Sequence, residues 1–298
     1  MKRILCAVDL SEASDEALRQ SHVIAASSGA LLAVCHVVPD LHLVHRMLPA
    51  RYGDAEPDSS GTNRDTRGTL VDRIRAVTGR APGDVDVFVD TGESYAAIVN
   101  RAEAWKTDLV VAASHGLTGL RRMLLGGVVS QLVRHAHCTV LVARAPEGRG
   151  VVLAATDLSD ASFPALEAAH REAVRRSCEL VVVHVVDLAP ASMWGLGLAS
   201  LSYYYVPSAE TLADVKARVQ ARIETVLADL GAVARLVIAD GDAATCILRE
   251  ADACGAELVV VGTRGRTGIA RIAVGSVAEK VIIHAACSTL AVRLVTSL

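Results

Sequence analysis

The chain repeats itself, and the repeat limits its fold more than any other feature. Residues 4–14, ILCAVDLSEAS, match residues 152–162, VLAATDLSDAS, so that Asp9 pairs with Asp157 at an offset of 148. His36-Val37-Val38 pairs with His184-Val185-Val186 at the same offset. Further on, Asp108-Leu109-Val110-Val111 pairs with Glu257-Leu258-Val259-Val260 at an offset of 149. Gly116 pairs with Gly265, Gly126 with Gly275 and Cys138 with Cys287 at that second offset. The one-residue change falls in the variable middle stretch. A chain of 298 residues therefore reads as two copies of one unit, each of ordinary domain size. The joint falls near Arg144-Ala145-Pro146-Glu147-Gly148-Arg149-Gly150, where proline, glycine and charge concentrate. The expected domains are 1–145 and 150–298.

Each copy alternates short apolar runs with helical periodicity. In the first, strands are predicted over 2–8, 31–38, 85–89, 109–113 and 139–142. Helices are predicted over about 11–28, 70–78, 93–105 and 128–135, with 40–68 irregular. The second copy follows the same order, with strands near 151–155, 180–186, 234–238, 257–261 and 289–294. VVVHVV at 181–186 and LVVV at 258–261 are continuous rather than alternating. Such strands are buried on both faces, which implies a parallel sheet covered by helices. Right-handed crossovers then give two doubly wound α/β domains. Ligands in such sheets sit at the carboxyl ends of the strands, where strand order reverses.

Composition removes several alternatives. Aromatic residues are only 3% against 52% hydrophobic, so the cores are aliphatic and a base-stacking surface is not expected. A net charge of −3, from 30 basic and 33 acidic side chains, excludes a globally basic nucleic-acid binder. Mean hydropathy is +0.37, yet no apolar run reaches the ~18 residues of a membrane span. The start, MKRILCAVDL, reaches Asp9 without the apolar stretch of a signal peptide. Seven cysteines occur with no CxxC pair, as expected of buried thiols in a cytoplasmic protein. No clustered metal ligands are visible.

The chemistry concentrates after strand four. The second copy reads Val261-Gly262-Thr263-Arg264-Gly265, and later Gly275-Ser276-Val277 opens the last helix. Glycines let a backbone approach phosphate oxygens, and free N–H groups at a helix start form an anion site. The Ser276 hydroxyl either donates to such an anion or caps the helix. Asp157 and Asp9 end strand one of their copies. A carboxylate there accepts from a ribose hydroxyl, holds a metal, or partners the following helix. Neither GxxxxGK[ST] nor GxGxxG follows a first strand, which argues against a P-loop hydrolase or an ordinary dinucleotide fold.

The strand-one aspartates, the strand-two histidine-valine pairs, and G-2x-G-9x-G-S before the last helix together resemble the universal stress protein family in its tandem form. The resemblance covers nearly the whole chain except 40–68 and 188–212. It implies a five-stranded parallel sheet of order 3-2-1-4-5 in each copy, with helices on both faces. Some members bind ATP and others do not, and the glycine motif separates them. Carried onto the second copy, the resemblance places Asp157 at the ribose with Ala155 nearby, and Val185 by adenine. Val261 and Gly262 line the nucleoside side. Arg264, Gly265, Gly275, Ser276 and Val277 surround the phosphates, and Arg264 is suited to a bidentate phosphate pair. The first copy departs from the pattern, because Ala113 replaces the first glycine and Gly127 the serine. Asp9, Val37, His115, Gly116, Gly126 and Gly127 make up its weakened site.

The implied function is an ATP-binding stress-response or signalling module, acting mainly through the second domain with little or no hydrolysis. ADP and AMP fit the same pattern, and Mg2+ would accompany the phosphates. The alternative is an interaction or scaffold protein on the same fold that binds no nucleotide. The resemblance also implies pseudo-two-fold association of the domains through their last strands, or a homodimer. His36 and His184 read as satisfied core histidines. Segment 193–206, MWGLGLASLSYYYV, reads equally as a cleft cover, a subunit contact or internal packing.

Overall fold

In each unit, the inner strands form where runs of Val, Ile, Leu and Ala are buried on both faces, whereas the third strand of each, Asp86–Thr91 and Arg235–Asp240, has polar residues at exposed ends. A computed structural model describes residues 1–39, 59–81, 83–114, 126–145, 148–186, 209–263 and 274–293. The chain divides into two units, Met1–Ala145 and Pro146–Leu298.

In the first unit the strands are β1 (Arg3–Val8), β2 (Leu31–Val38), β3 (Asp86–Thr91), β4 (Leu109–Ala113) and β5 (Thr139–Ala143). They pair in parallel in the order β3-β2-β1-β4-β5. Ile4, Leu5 and Cys6 of β1 are fully buried, as a central strand covered on both faces must be. The helices are α1 (Glu12–Ser28), α2 (Ser59–Thr78), α3 (Ser94–Ala104) and α4 (Gly127–His135). Helices α1 and α2 contact one another, and α3 and α4 form a second pair. Ser11 caps α1 by accepting from the Ser14 N–H, and Gly29 ends it at φ 65°.

The second unit repeats this with β6 (Val151–Ala155), β7 (Glu179–Val186), β8 (Arg235–Asp240), β9 (Leu258–Gly262) and β10 (Ser288–Val292). These pair in parallel as β8-β7-β6-β9-β10, again 3-2-1-4-5. Its helices are α5 (Phe163–Arg176), α6 (Ala209–Asp229), α7 (Ala243–Cys254) and α8 (Ser276–His284). Helix α5 ends at Ser177, which takes φ 56° at the place Gly29 holds in the first unit.

Several boundaries differ from the sequence reading, among them β8, which runs on to Asp240, and β10, which ends at Val292. Helix α2 begins at Ser59, inside the stretch expected to be irregular. Gly61, Asn63 and Gly68 depress local helix propensity there, but the helix continues through them to Thr78. From α2, Arg73 makes a bidentate pair with Asp15 of α1 at 2.6 and 2.7 Å. Strand β3 continues two residues past Val89, because Asp90 and Thr91 still pair with Val37 and Val38. Segment 193–206 lies outside the described residues.

Candidate functional site

The end of β6 is held by a closed set of short-range hydrogen bonds. Asp157 Oδ1 accepts from the Ser159 N–H at 3.0 Å and from its hydroxyl at 2.6 Å. Between them Leu158 takes φ 62°, a left-handed conformation that a bulky residue adopts only under constraint. Its N–H donates to Thr156 Oγ1 at 3.0 Å. Ser162 donates its hydroxyl to the Ser159 carbonyl at 2.8 Å. The Thr156 and Ser162 hydroxyls lie 2.8 Å apart. Asp157 therefore fixes the turn after β6; Ser162, five residues on, stands at the helix start.

The facing wall comes from β9 and α8. Thr263 donates its N–H to the Val292 carbonyl and accepts the Gly275 N–H, both at 3.0 Å. This brings the start of α8 back beside the end of β9. Gly275 precedes the helix at φ −61° and ψ 143°, and no side chain caps it among the described residues. The first-turn N–H groups of α8 have no intrahelical partners and carry the positive end of the helix dipole. Gly275 needs no special backbone conformation, and an added Cβ would come no nearer than 3.9 Å to a described atom.

Between these walls lies a cavity of about 660 Å³, within the range of small-molecule sites. It opens at the carboxyl ends of β6, β7 and β9, where the strand order reverses. Asp157, Gly275, Ser276 and Val277 all line it. Val183, Val215, Val219 and Ile247 give it an apolar wall. Asp157 is the one carboxylate among the described lining residues, and no group of three or more metal ligands occurs among the described residues. The structure thus brings together Ala155, Asp157, Val185, Val261, Gly262, Gly275, Ser276 and Val277. Arg264 and Gly265 lie outside the described residues.

The first unit keeps this scaffold without a hydroxyl at the position of Ser276. Asp9 Oδ1 accepts from Ser11 N–H and hydroxyl at 3.1 and 2.5 Å, and Leu10 stands at φ 63°. Gly126 takes φ −58° and ψ 143° before α4, and its N–H donates to the Ser114 carbonyl at 3.0 Å. The backbone at the helix start is therefore the same, with Gly127 in place of Ser276. Ala113 and Val37 are buried at the ends of β4 and β2. His115 and Gly116 lie outside the described residues.

His184 meets the expectation of a satisfied histidine, since its Nδ1 lies 2.9 Å from the Thr156 carbonyl. A carbonyl only accepts, so Nδ1 carries the proton. His36 stands likewise 2.9 Å from the Val8 carbonyl. All seven cysteines are free. Burial pushes the Cys6 thiol up to about 12, so it is inert.

Sequence reasoning missed Thr156, Ser162, Val215 and Val219. The valines are spaced i, i+4 on α6, a signal that periodicity carries once that helix is placed. Also missed was an ion network away from the cavity, near the start of β9. Glu172 pairs with Arg175 and with Arg176, and Arg176 reaches Glu257 at 2.9 Å. Burial opposes ionisation of Glu172, but the hydrogen bonds and charges of both arginines outweigh it and hold its carboxyl below the usual range.

Comparison with known proteins agrees with this architecture. The model of the universal stress protein family matches twice, over residues 1–144 and 149–293. Universal stress protein Rv2623 of Mycobacterium tuberculosis (strain ATCC 25618 / H37Rv) is 36% identical over 165 residues, covering 53% of this chain and 52% of the relative. Rv2005c of the same organism is 35% identical over 189 residues, covering 61% and 60%. The chain spans between about half and three fifths of the length of these curated relatives. A putative universal stress protein from Pseudomonas aeruginosa UCBPP-PA14 superposes with a TM-score of 0.66 at 20% identity, over 98% of this chain and 93% of that one, a likeness of fold. No described helix is long and apolar enough to cross a membrane. With a doubly wound sheet built twice and the family model matching both copies, the chain belongs to the universal stress protein family as a tandem two-domain member.

Proposed function

We propose that this chain binds an adenine nucleotide, ATP before ADP or AMP, mainly in its second unit, as a stress-response or signalling module with little or no hydrolysis. The observation that carries this reading is the chemistry that lines one cavity. An apolar wall of Val183, Val215, Val219 and Ile247 suits a base. The Asp157 carboxylate suits a hydroxyl-bearing sugar, and the start of α8 at Gly275–Ser276, which no described side chain caps, suits phosphate. Gly275 is demanded neither by its φ nor by crowding among the described atoms, which fits a place kept clear for a ligand. Arg264 and Gly265 complete the phosphate side in this reading.

Mg2+ would arrive with the nucleotide. With one carboxylate among the described lining residues, phosphate and water would supply most of its oxygens. The ion would neutralise phosphate charge, while Asp157 and Ser276 orient the ligand. Mass spectrometry of natively purified protein after mild denaturation tests the reading. Release of close to one adenine nucleotide per chain, lost in Asp157→Ala, is expected. Nucleotide-free protein that also gives no calorimetric signal with ATP would favour a scaffold role on the same fold.

A further inference from the structure

The geometry points to Thr156 as a positioning residue: its hydroxyl locks the left-handed turn at Leu158 and so fixes the Asp157 carboxylate at the cavity of the second unit. Hydrogen-bond directions around the turn follow from the donor inventory. Ser162 spends its single hydroxyl proton on the Ser159 carbonyl. Thr156 must therefore donate to Ser162 Oγ, which leaves Thr156 Oγ1 to accept from the Leu158 N–H. A directed chain runs from Leu158 N–H through Thr156 and Ser162 to the Ser159 carbonyl. Ser159 in turn gives both its N–H and its hydroxyl to Asp157 Oδ1. Each link polarises the next, and Thr156 and Ser162 are only 7% and 3% exposed.

A leucine at φ 62° is costly and persists only where its surroundings fix it. In the first unit Leu10 takes the same conformation, but Val8 stands where Thr156 does and has no hydroxyl to accept the N–H. There Ser14 still reaches the Ser11 carbonyl at 2.7 Å, so the helix side of the device survives and the strand side is missing. Both aspartates accept the same pair of serine hydrogen bonds, and the units differ in the hydroxyl that Thr156 offers the leucine N–H. This difference is separate from those at Gly262 and Ser276.

The inference rests on the nucleotide reading for its ligand. The test uses the full chain, with ATP and 2′,3′-dideoxy-ATP as probes in calorimetry, and hydrogen exchange of the ligand-free protein. Thr156→Val keeps shape and buries no new polar atom. It is expected to lower ATP affinity roughly 3–10-fold, about the worth of one neutral hydrogen bond. Affinity for the dideoxy analogue, which offers Asp157 no hydroxyl, stays unchanged, and Thr156→Ser restores ATP binding. The Leu158 amide exchanges faster in Thr156→Val than in the unaltered chain. An equal loss for both nucleotides would show general loosening and overturn the positioning role, as would unchanged exchange at Leu158. If the unaltered chain binds no ATP, the nucleotide reading falls and takes the ligand half with it, while exchange still decides whether Thr156 holds the turn.

Discussion

Replacing Ser276 by glycine asks how much one hydroxyl contributes to the second-unit site. The two units supply their own control. Gly275 and Gly126 precede their helices at φ −61°, ψ 143° and φ −58°, ψ 143°. Ser276→Gly therefore makes the helix start of the second unit like that of the first without moving the backbone. Loss of one hydrogen bond to a charged phosphate costs roughly 1.5–3 kcal/mol, or about 10–150-fold in affinity. The same change costs helix α8 only about 0.5 kcal/mol in propensity, a shift of ~1–2 °C in Tm for a unit of this size. Binding should thus fall far more than stability does. Ser276→Ala separates the causes, because alanine lacks the hydroxyl but favours the helix. Conversely, Gly127→Ser should strengthen the first unit, where an added Cβ meets no described atom within 4 Å. Calorimetry with ATP, beside thermal melts of each variant, reads both quantities. Full affinity in Ser276→Ala, or two sites of equal strength in the unaltered protein, would refute the reasoning.

Three further outcomes follow from particular residues. Glu172→Gln should destabilise the second unit by about 3 kcal/mol, because it removes the carboxylate that two mostly buried arginines share and leaves Arg176 with Glu257 alone among the described carboxylates. Since the folded carboxyl titrates below its unfolded value, that stability is present above about pH 4.3 and is lost as pH falls through the folded pKa. Melts from pH 7 to 3 should show a shallower acid decline in the variant, and an identical slope would contradict the assignment. Ser177→Gly should stabilise by about 0.5–1 kcal/mol, since an exposed serine at φ 56° occupies the position of Gly29. A lowered midpoint in urea would count against it. Steady-state phosphate release from ATP should stay far below ~1 per second, because Asp157 is engaged by Ser159 and His184 by the Thr156 carbonyl. Faster release abolished by Asp157→Ala would reverse that view.

The twofold repeat, the parallel sheets and the glycine-serine helix start were legible because each follows from spacing along the chain. Continuous apolar runs such as VVVHVV leave a strand no polar face, so a covered parallel sheet was the outcome consistent with burial. Asp157 and Ser276 were legible for a related reason: each stands at the end of a strand or the start of a helix, where the sequence marks the boundary. Helix α2 was read too short, because its first ten residues carry weak propensity. Propensity is a weak prior that tertiary context overrides, and α2 packs on α1 and β3. The Thr156–Ser162 link and the Glu172–Arg176–Glu257 network were decided only by tertiary structure. Both depend on the direction in which a strand exit or a helix end presents its side chains, and Arg176 and Glu257 are 81 residues apart. Sequence spacing fixes which element a residue occupies; the meeting of side chains from different elements depends on how those elements pack.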